Sequence, residues 1–304
     1  MVRRWLPGQE FSVVRTESGG STPVYRIVAG GEIFFLRLAE QPGERRDAEA
    51  RVHQLLMDAG VPVPAVIRYE SAPPELDRSA MLTTQIPGIS LLESPGLDAE
   101  AVRRFARAAG RDMARINQIP VAGYGWVETV TTPDRSLMAE HPARSAWTEE
   151  YAIAAREVTV ALSDLFTDRS LDLLQSAIAR WLARPDRTQS FLAHGDFDAT
   201  HIFMSASTYT YTGIIDFGEI RGADRLYDLG HALLQDAQPG RIPIFPDLLA
   251  GYREIVPLSD AVMPEIYDLA ITIGARQLAI FRRRSSPHTE ALASQIETLL
   301  GKMR

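Results

Sequence analysis

The run His194-Gly195-Asp196-Phe197-Asp198-Ala199-Thr200-His201-Ile202-Phe203, followed later by Ile214-Ile215-Asp216-Phe217-Gly218-Glu219, decides how this chain is read. The first run comes directly after apolar Phe191-Leu192-Ala193, and a turn-rich segment, 205–212, leads into the apolar pair before Asp216. Asp196 is therefore expected on a loop after a buried segment, and Asp216 at the end of a strand. Two carboxylates at strand ends, joined by a hairpin, can converge on one point. Phosphoryl transfer needs that arrangement. One carboxylate orients the attacking hydroxyl and accepts its proton, and the other holds a divalent cation on the phosphates. An Asp after a Gly is by itself only a turn residue, so the weight lies in the two runs together.

Working outward, Phe11–Arg15 and 24–28 are rich in β-branched and aromatic residues, with Ser18-Gly19-Gly20-Ser21 between them as a turn. Gly30-Gly31 then turns the chain into 33–38, which predicts an antiparallel meander. Ala48, Val52, Leu55, Leu56 and Ala59 recur at helical steps, so 44–59 reads as an amphipathic helix stopped by Gly60. Val61-Pro62-Val63-Pro64 is extended, and 80–86 is a further strand ended by Pro87-Gly88. The boundary between lobes is placed there, giving residues 1–87 and 88–304. From Asp98, an N-cap candidate, Ala101, Val102, Phe105, Ala109, Met113 and Ile116 fall on one helix face. Residues 120–147 read as loop, 191–215 as short strands and tight turns, and 147–165, 170–182, 263–283 and 289–303 as helices.

The His-Gly-Asp and Ile-Asp-Phe-Gly motifs, with Arg221-Gly222-Ala223-Asp224-Arg225-Leu226-Tyr227-Asp228-Leu229 downstream, resemble the antibiotic phosphotransferases. That family includes aminoglycoside, macrolide and hygromycin-type kinases. The resemblance runs over most of the chain and is weakest across 120–190. It implies an α+β, two-lobed protein-kinase-like fold: an N-lobe with an antiparallel sheet and one helix, and a mostly helical C-lobe with catalytic hairpins. It also implies Mg2+, ATP or GTP as phosphoryl donor, and the hydroxyl of a small molecule as acceptor. An antibiotic of aminoglycoside, macrolide or nucleoside type leads, with inactivation and resistance as the outcome. A metabolic kinase for a sugar, choline or an amino alcohol is the rival reading, and a nucleotide-binding pseudokinase the third. The presence of both carboxylates counts against the last.

Carried over residue by residue, the resemblance makes Asp196 the catalytic base and Asp216 a magnesium ligand. His201 stands where the family usually has Asn. It is expected either to act as second metal ligand or to hold the loop, since imidazole suits softer ions than magnesium. His194 is expected to organise the loop through backbone contacts, and Glu219 to face the cleft toward an amine of the acceptor.

On the nucleotide side, Ser18, Gly19, Gly20 and Ser21 lie between two strands and lack the Gly-Lys-Ser/Thr of a P-loop. In a kinase-like lobe this turn would cover the phosphates with backbone N–H groups. Arg37 occupies the third-strand position where the family has a phosphate-pairing lysine, and Lys302 is the sole lysine of the chain. A guanidinium can hold phosphate oxygens bidentately with a permanent charge. Glu49 is the implied ion-pair partner. Thr84, Gln85 and Ile86 resemble the hinge whose backbone groups read the purine edge, which leaves ATP and GTP undistinguished.

The composition agrees with an enzyme of this kind. Of 304 residues, 45% are hydrophobic and 23% charged, the proportions of a globular protein with a sizeable core. The formal charge of −7 argues against a nucleic-acid partner. Without cysteine there is no disulfide, thiolate metal site or thiol nucleophile. The N-terminus has no apolar stretch after Arg3-Arg4, and no run approaches a membrane span. A cytoplasmic monomer or homodimer is expected. Asp134, Glu140, Glu149, Glu150, Glu157, Asp164 and Asp168 fall in the variable middle region. They form either a surface that attracts a polyamine or ordinary solvated helix faces. Trp126 and Trp147, with Tyr124, either stack on the acceptor or anchor the core.

Overall fold

The structure, a computed structural model, describes residues 1–16, 23–44, 46–94, 96–130, 136–161, 163–185, 189–205, 207–238 and 243–303. The N-terminal lobe holds helices α1 (Val2–Trp5) and α2 (Asp47–Asp58). Its strands are β1 (Phe11–Arg15), β2 (Val24–Ala29), β3 (Glu32–Leu38), β4 (Val66–Glu70) and β5 (Ala80–Thr84). They form one antiparallel sheet in the order β1-β2-β3-β5-β4. The expected meander is its first half, and β4 joins as an edge strand that sequence reading did not identify.

Alternation along β2, β3 and β5 buries Ile27, Ala29, Phe34, Leu36, Ala80 and Leu82 in a small core of their own, closed by Trp5 and Leu6. The lobe thus has two helices rather than the single one expected. The four-residue α1 covers the outer face of the sheet, and Arg4 ties it to the rest of the lobe with 2.6 Å and 3.0 Å ion pairs to Glu70 and Glu75. Helix α2 points its apolar stripe, Ala48, Val52 and Leu56, into the large core shared with the other lobe. That orientation brings Glu49, on the same stripe, toward the interior.

The C-terminal lobe begins with β6 (Ile89–Ser90), then α3 (Ala99–Ile116), β7 (Pro120–Val121), β8 (Tyr124–Val130) and β9 (Leu137–His141). Helices α4 (Arg144–Ala161) and α5 (Asp168–Leu182) follow, then β10 (Ser190–Ala193), β11 (Ile202–Ser205), β12 (Thr210–Ile214) and β13 (Arg221–Ala223). Helices α6 (Tyr227–Asp236), α7 (Phe245–Ile255), α8 (Met263–Arg283) and α9 (Thr289–Lys302) complete the lobe. Asp98 caps α3 by accepting the Ala101 N–H at 2.7 Å, and the expected apolar face of α3 is buried. Two glycines let α3 and α7 approach closely: a Cβ at Gly110 would strike the Leu248 carbonyl, and one at Gly251 the Arg107 carbonyl.

Within the expected loop of 120–147, Pro120–Val121, Tyr124–Val130 and Leu137–His141 are strand rather than loop. They supply β7, β8 and β9 to a five-stranded sheet in the order β7-β10-β13-β8-β9. Gly123 and Gly125 sit at φ 91° and 90° inside it, where the strand passes too close to His141 and Glu140 for a side chain. A second, three-stranded sheet, β12-β11-β6, carries the hairpin. Its register, Ile202↔Ile214, places the residues before β11 beside those after β12. No described helix is long and apolar enough to cross a membrane.

Candidate active site

Asp196 lies on the loop between β10 and β11, and Asp216 follows β12. Both border one cavity of about 840 Å³ between the lobes. Arg37, Glu49, Thr84, Gln85, Ile86, Glu219 and Trp126 line it as well. A second cavity of about 620 Å³ shares only Asp196, Glu219 and Trp126 with the first. Asp196 thus sits where the two meet.

The loop carrying Asp196 is held from below by Asp228, a fully buried carboxylate on α6. It accepts the N–H groups of His194 and Gly195, each at 2.9 Å, and the Asn117 amide at 2.8 Å. Gly195 takes φ 87°, and a Cβ there would run into the Glu219 carbonyl, so the loop admits no side chain at this point. His194 links this loop to the one bearing Asp216. Its Nε2 donates to the Ile215 carbonyl at 2.9 Å, and its Nδ1 accepts the Asp196 N–H at 3.3 Å. Burial, followed by the charge of His201, pushes the His194 pKa down, consistent with this neutral tautomer.

Asp216 adopts a left-handed conformation, φ 67° and ψ 67°, a geometry that Asp tolerates better than bulkier residues. Arg37 Nη1 lies 2.9 Å from Asp216 Oδ1 and 3.1 Å from Glu49 Oε1. The other Glu49 oxygen meets Arg46 at 3.3 Å. Burial works to raise the Asp216 pKa, but Arg37 and then His201 outweigh it and hold the carboxyl below its ordinary value. The Asp216 side chain remains open to the cleft while protein surrounds it on the other sides. For Arg37, burial opposes the charge and Glu49 with Asp216 overcomes it, so its pKa rises. His201 Nδ1 donates to the Asp196 carbonyl at 2.6 Å, which leaves Nε2 3.8 Å from Asp216 Oδ2.

Other expected residues fall less simply. Thr84 gives its N–H to Ala65 at 2.9 Å and Gln85 gives its own to Ile33 at 3.2 Å, so the backbone donor left in this stretch is Ile86. Ser18, Gly19, Gly20 and Ser21 lie outside the described residues, as does Asp134. Glu219 faces the cavity but is bonded to Arg221 Nη2 at 2.9 Å. Burial, against the pull of Arg221, raises its pKa. Trp126 lies under the Arg221 guanidinium at 4.5 Å.

Trp147 corrects its expectation. It borders neither cavity and is buried among Tyr124, Tyr151, Trp181 and Tyr227, with ring centroids 5.2–5.9 Å away. Within the acidic middle region Glu150 pairs with Arg276 at 3.3 Å and Glu157 with Arg283 at 3.6 Å, so these two are not free acidity. Sequence reasoning missed His231, wholly buried, whose Nε2 is 3.5 Å from Asp196 Oδ1. Its Nδ1 sits 3.2 Å from the Phe197 carbonyl. Nothing in the sequence signalled it. Asp228 had a signal, the Tyr-Asp-Leu run, but no role.

The profile of the phosphotransferase enzyme family matches residues 12–282. The chain belongs to that family. Aminoglycoside 3'-phosphotransferases of Streptomyces ribosidificus and Streptomyces fradiae are each 27% identical to it, over 76% of this chain and 82% of theirs. The crystal structure of aminoglycoside phosphotransferase APH(4)-Ia superposes with a TM-score of 0.67 at 15% identity, covering 100% of this chain and 97% of that one. At that identity it shows the shared protein-kinase-like fold. This family member is an enzyme of nucleotide-dependent phosphoryl transfer to a small-molecule hydroxyl.

Proposed function

We propose that this phosphotransferase moves the γ-phosphoryl group of ATP or GTP, with Mg2+, to a hydroxyl of an antibiotic-sized molecule and thereby inactivates it. Residues 1–87 would bind the nucleotide, and residues 88–304 would supply the catalytic groups and the acceptor site. One observation carries this reading: Asp196 borders both cavities, where a carboxylate can meet an acceptor hydroxyl on one side and a triphosphate on the other. The two relatives named as aminoglycoside 3'-phosphotransferases support an antibiotic acceptor. A metabolic acceptor is the second reading, favoured by Arg276, Arg284, Gln277 and Gln295, which line the second cavity.

In this mechanism Asp196 orients the hydroxyl and accepts its proton. Arg37, anchored by Glu49, holds phosphate oxygens, and the backbone of Ile86 reads the base. Asp216 and His201 would hold the magnesium. The Asp216 carboxylate is the oxygen donor that magnesium prefers, and His201, whose Nδ1–H is given to a carbonyl, leaves Nε2 beside it as the softer, weaker donor. Magnesium needs only one or two protein ligands, since phosphate and water complete its shell. When bound, the ion neutralises charge on the transferring phosphates.

The test is triphosphate-dependent phosphorylation across a panel of antibiotics and metabolites. In Asp196→Asn, kcat is expected to fall by about 10²–10⁴ with nucleotide affinity retained. Turnover that survives this substitution would refute the assignment, and nucleotide binding with no turnover in wild type would favour the pseudokinase reading.

A further inference from the structure

The second cavity is basic in a chain whose formal charge is −7. Away from Asp196 it is walled by α6, α8 and α9, and its ionic lining is three arginines, Arg221, Arg276 and Arg284, against two carboxylates, Asp196 and Glu219. Glu219 is already taken by Arg221 at 2.9 Å. Among the described residues Arg276 has one ion pair, with Glu150 at 3.3 Å, outside the cavity lining. Arg284 is exposed and has no carboxylate partner among the described residues.

The remaining polar lining is amide. Gln295 is 6% exposed, lines the cavity, and finds no hydrogen-bond partner among the described residues. Its amide opens to the cavity, where a ligand group that both donates and accepts would satisfy it. Gln235 and Gln277 line the same space, the latter 3.4 Å from His231. Hydroxyl and carbonyl groups satisfy amides. Ammonium groups offer no acceptor, and against these guanidiniums they would meet like charge. A volume of about 620 Å³ suits a single small molecule.

We propose that the acceptor is a polyhydroxylated small molecule bearing an oxyanion, a carboxylate or phosphate, and not a polyamine. Its reacting hydroxyl meets Asp196, its hydroxyl and carbonyl groups pair with the glutamine amides, and its oxyanion rests on Arg276 and Arg284. This rests on the phosphoryl-transfer reading above and narrows its acceptor.

Calorimetric titration of the full chain, without nucleotide, tests binding apart from turnover. The probes are a hexuronic acid, a hexose phosphate and kanamycin. At least one anion is expected to bind, kanamycin is not expected to displace it, and Arg276→Gln and Arg284→Gln are each expected to weaken it by about tenfold or more. Which anion binds identifies the oxyanion. Because Arg284 lies on the surface, its variant keeps the fold and the comparison stands even if Arg276→Gln is unstable. Kanamycin binding more tightly than both anions, failure of both anions to bind, or anion affinity unchanged in the variants overturns the proposal. Anion binding without turnover of any acceptor would instead sink the phosphoryl-transfer reading.

Discussion

Replacing Asp228 by Asn tests whether the Asp196 loop is held as the structure describes. Asp228 Oδ2 accepts from the His194 N–H and the Asn117 amide, and Oδ1 from the Gly195 N–H. An asparagine can offer its oxygen to the first two donors, but its NH2 group then faces the Gly195 N–H. One buried donor loses its partner, at about 1–3 kcal/mol, and the two surviving bonds lose their ionic acceptor, at about 1 kcal/mol each. The expected destabilisation is about 3–5 kcal/mol, a large share of the ~5–15 kcal/mol that holds a domain folded. Ala would leave three buried donors unpaired and is the poorer probe. Urea unfolding measures the loss, and kcat measured well below the unfolding transition reads the loop. Since Gly195 immediately precedes Asp196, kcat should fall in the folded enzyme while nucleotide affinity stays. A stability change within about 0.5 kcal/mol together with wild-type kcat would show that Asp228 does not position this loop.

Three further outcomes are expected. Burial holds the pKa of His53 below its ordinary value, as it does for His194. The folded chain therefore binds fewer protons than the unfolded one below pH ~6.5. Stability should be complete above that value and fall from there down to the depressed folded-state value, and His53→Gln should flatten the slope. Urea midpoints at several pH values check this, and an unchanged slope would contradict it. Trp147→Ala should cost about 3–5 kcal/mol without altering acceptor KM. Trp126→Ala should cost about 1 kcal/mol and raise acceptor KM, and stability loss alone in both would remove Trp126 from the acceptor site.

What the sequence made legible was local or motif-borne. The β1-β2-β3 meander, the apolar stripe of α2 and the Asp98 cap are written in neighbouring residues, and the hairpin joining Asp196 to Asp216 follows from strand, turn and strand. What it hid depends on distant partners. Helix α6 is buried along most of its length, so Tyr227–Leu234 shows no amphipathic period. Gly123 and Gly125 look like loop residues until β9 is known to pass against them. Trp126 and Trp147 are the same side chain at similar positions in the chain, and only the tertiary packing of Tyr151, Trp181 and Tyr227 separates a cleft residue from a core one. Glu150 reads as free acidity because its partner, Arg276, comes from another helix much later in the chain.

Arg37 shows how this site manages without lysine. A lysine ammonium is a compact point charge, whereas a guanidinium presents a planar fork of donors. In Arg37 a single nitrogen, Nη1, serves both Glu49 and Asp216. Nη2 is thereby left without a carboxylate partner among the described residues, in a side chain that lines the first cavity. The longer cation also needs room, and Gly218 provides it: a Cβ there would stand 2.8 Å from Arg37 Nη2 and 3.3 Å from Asp216 Oδ1. The glycine after Phe217 is therefore coupled to the arginine across the cleft. Because the guanidinium stays charged at every working pH, it is the leading charge that keeps Asp216 ionised, ahead of His201. Loss of the lysine alone is thus no argument that phosphoryl transfer has been lost.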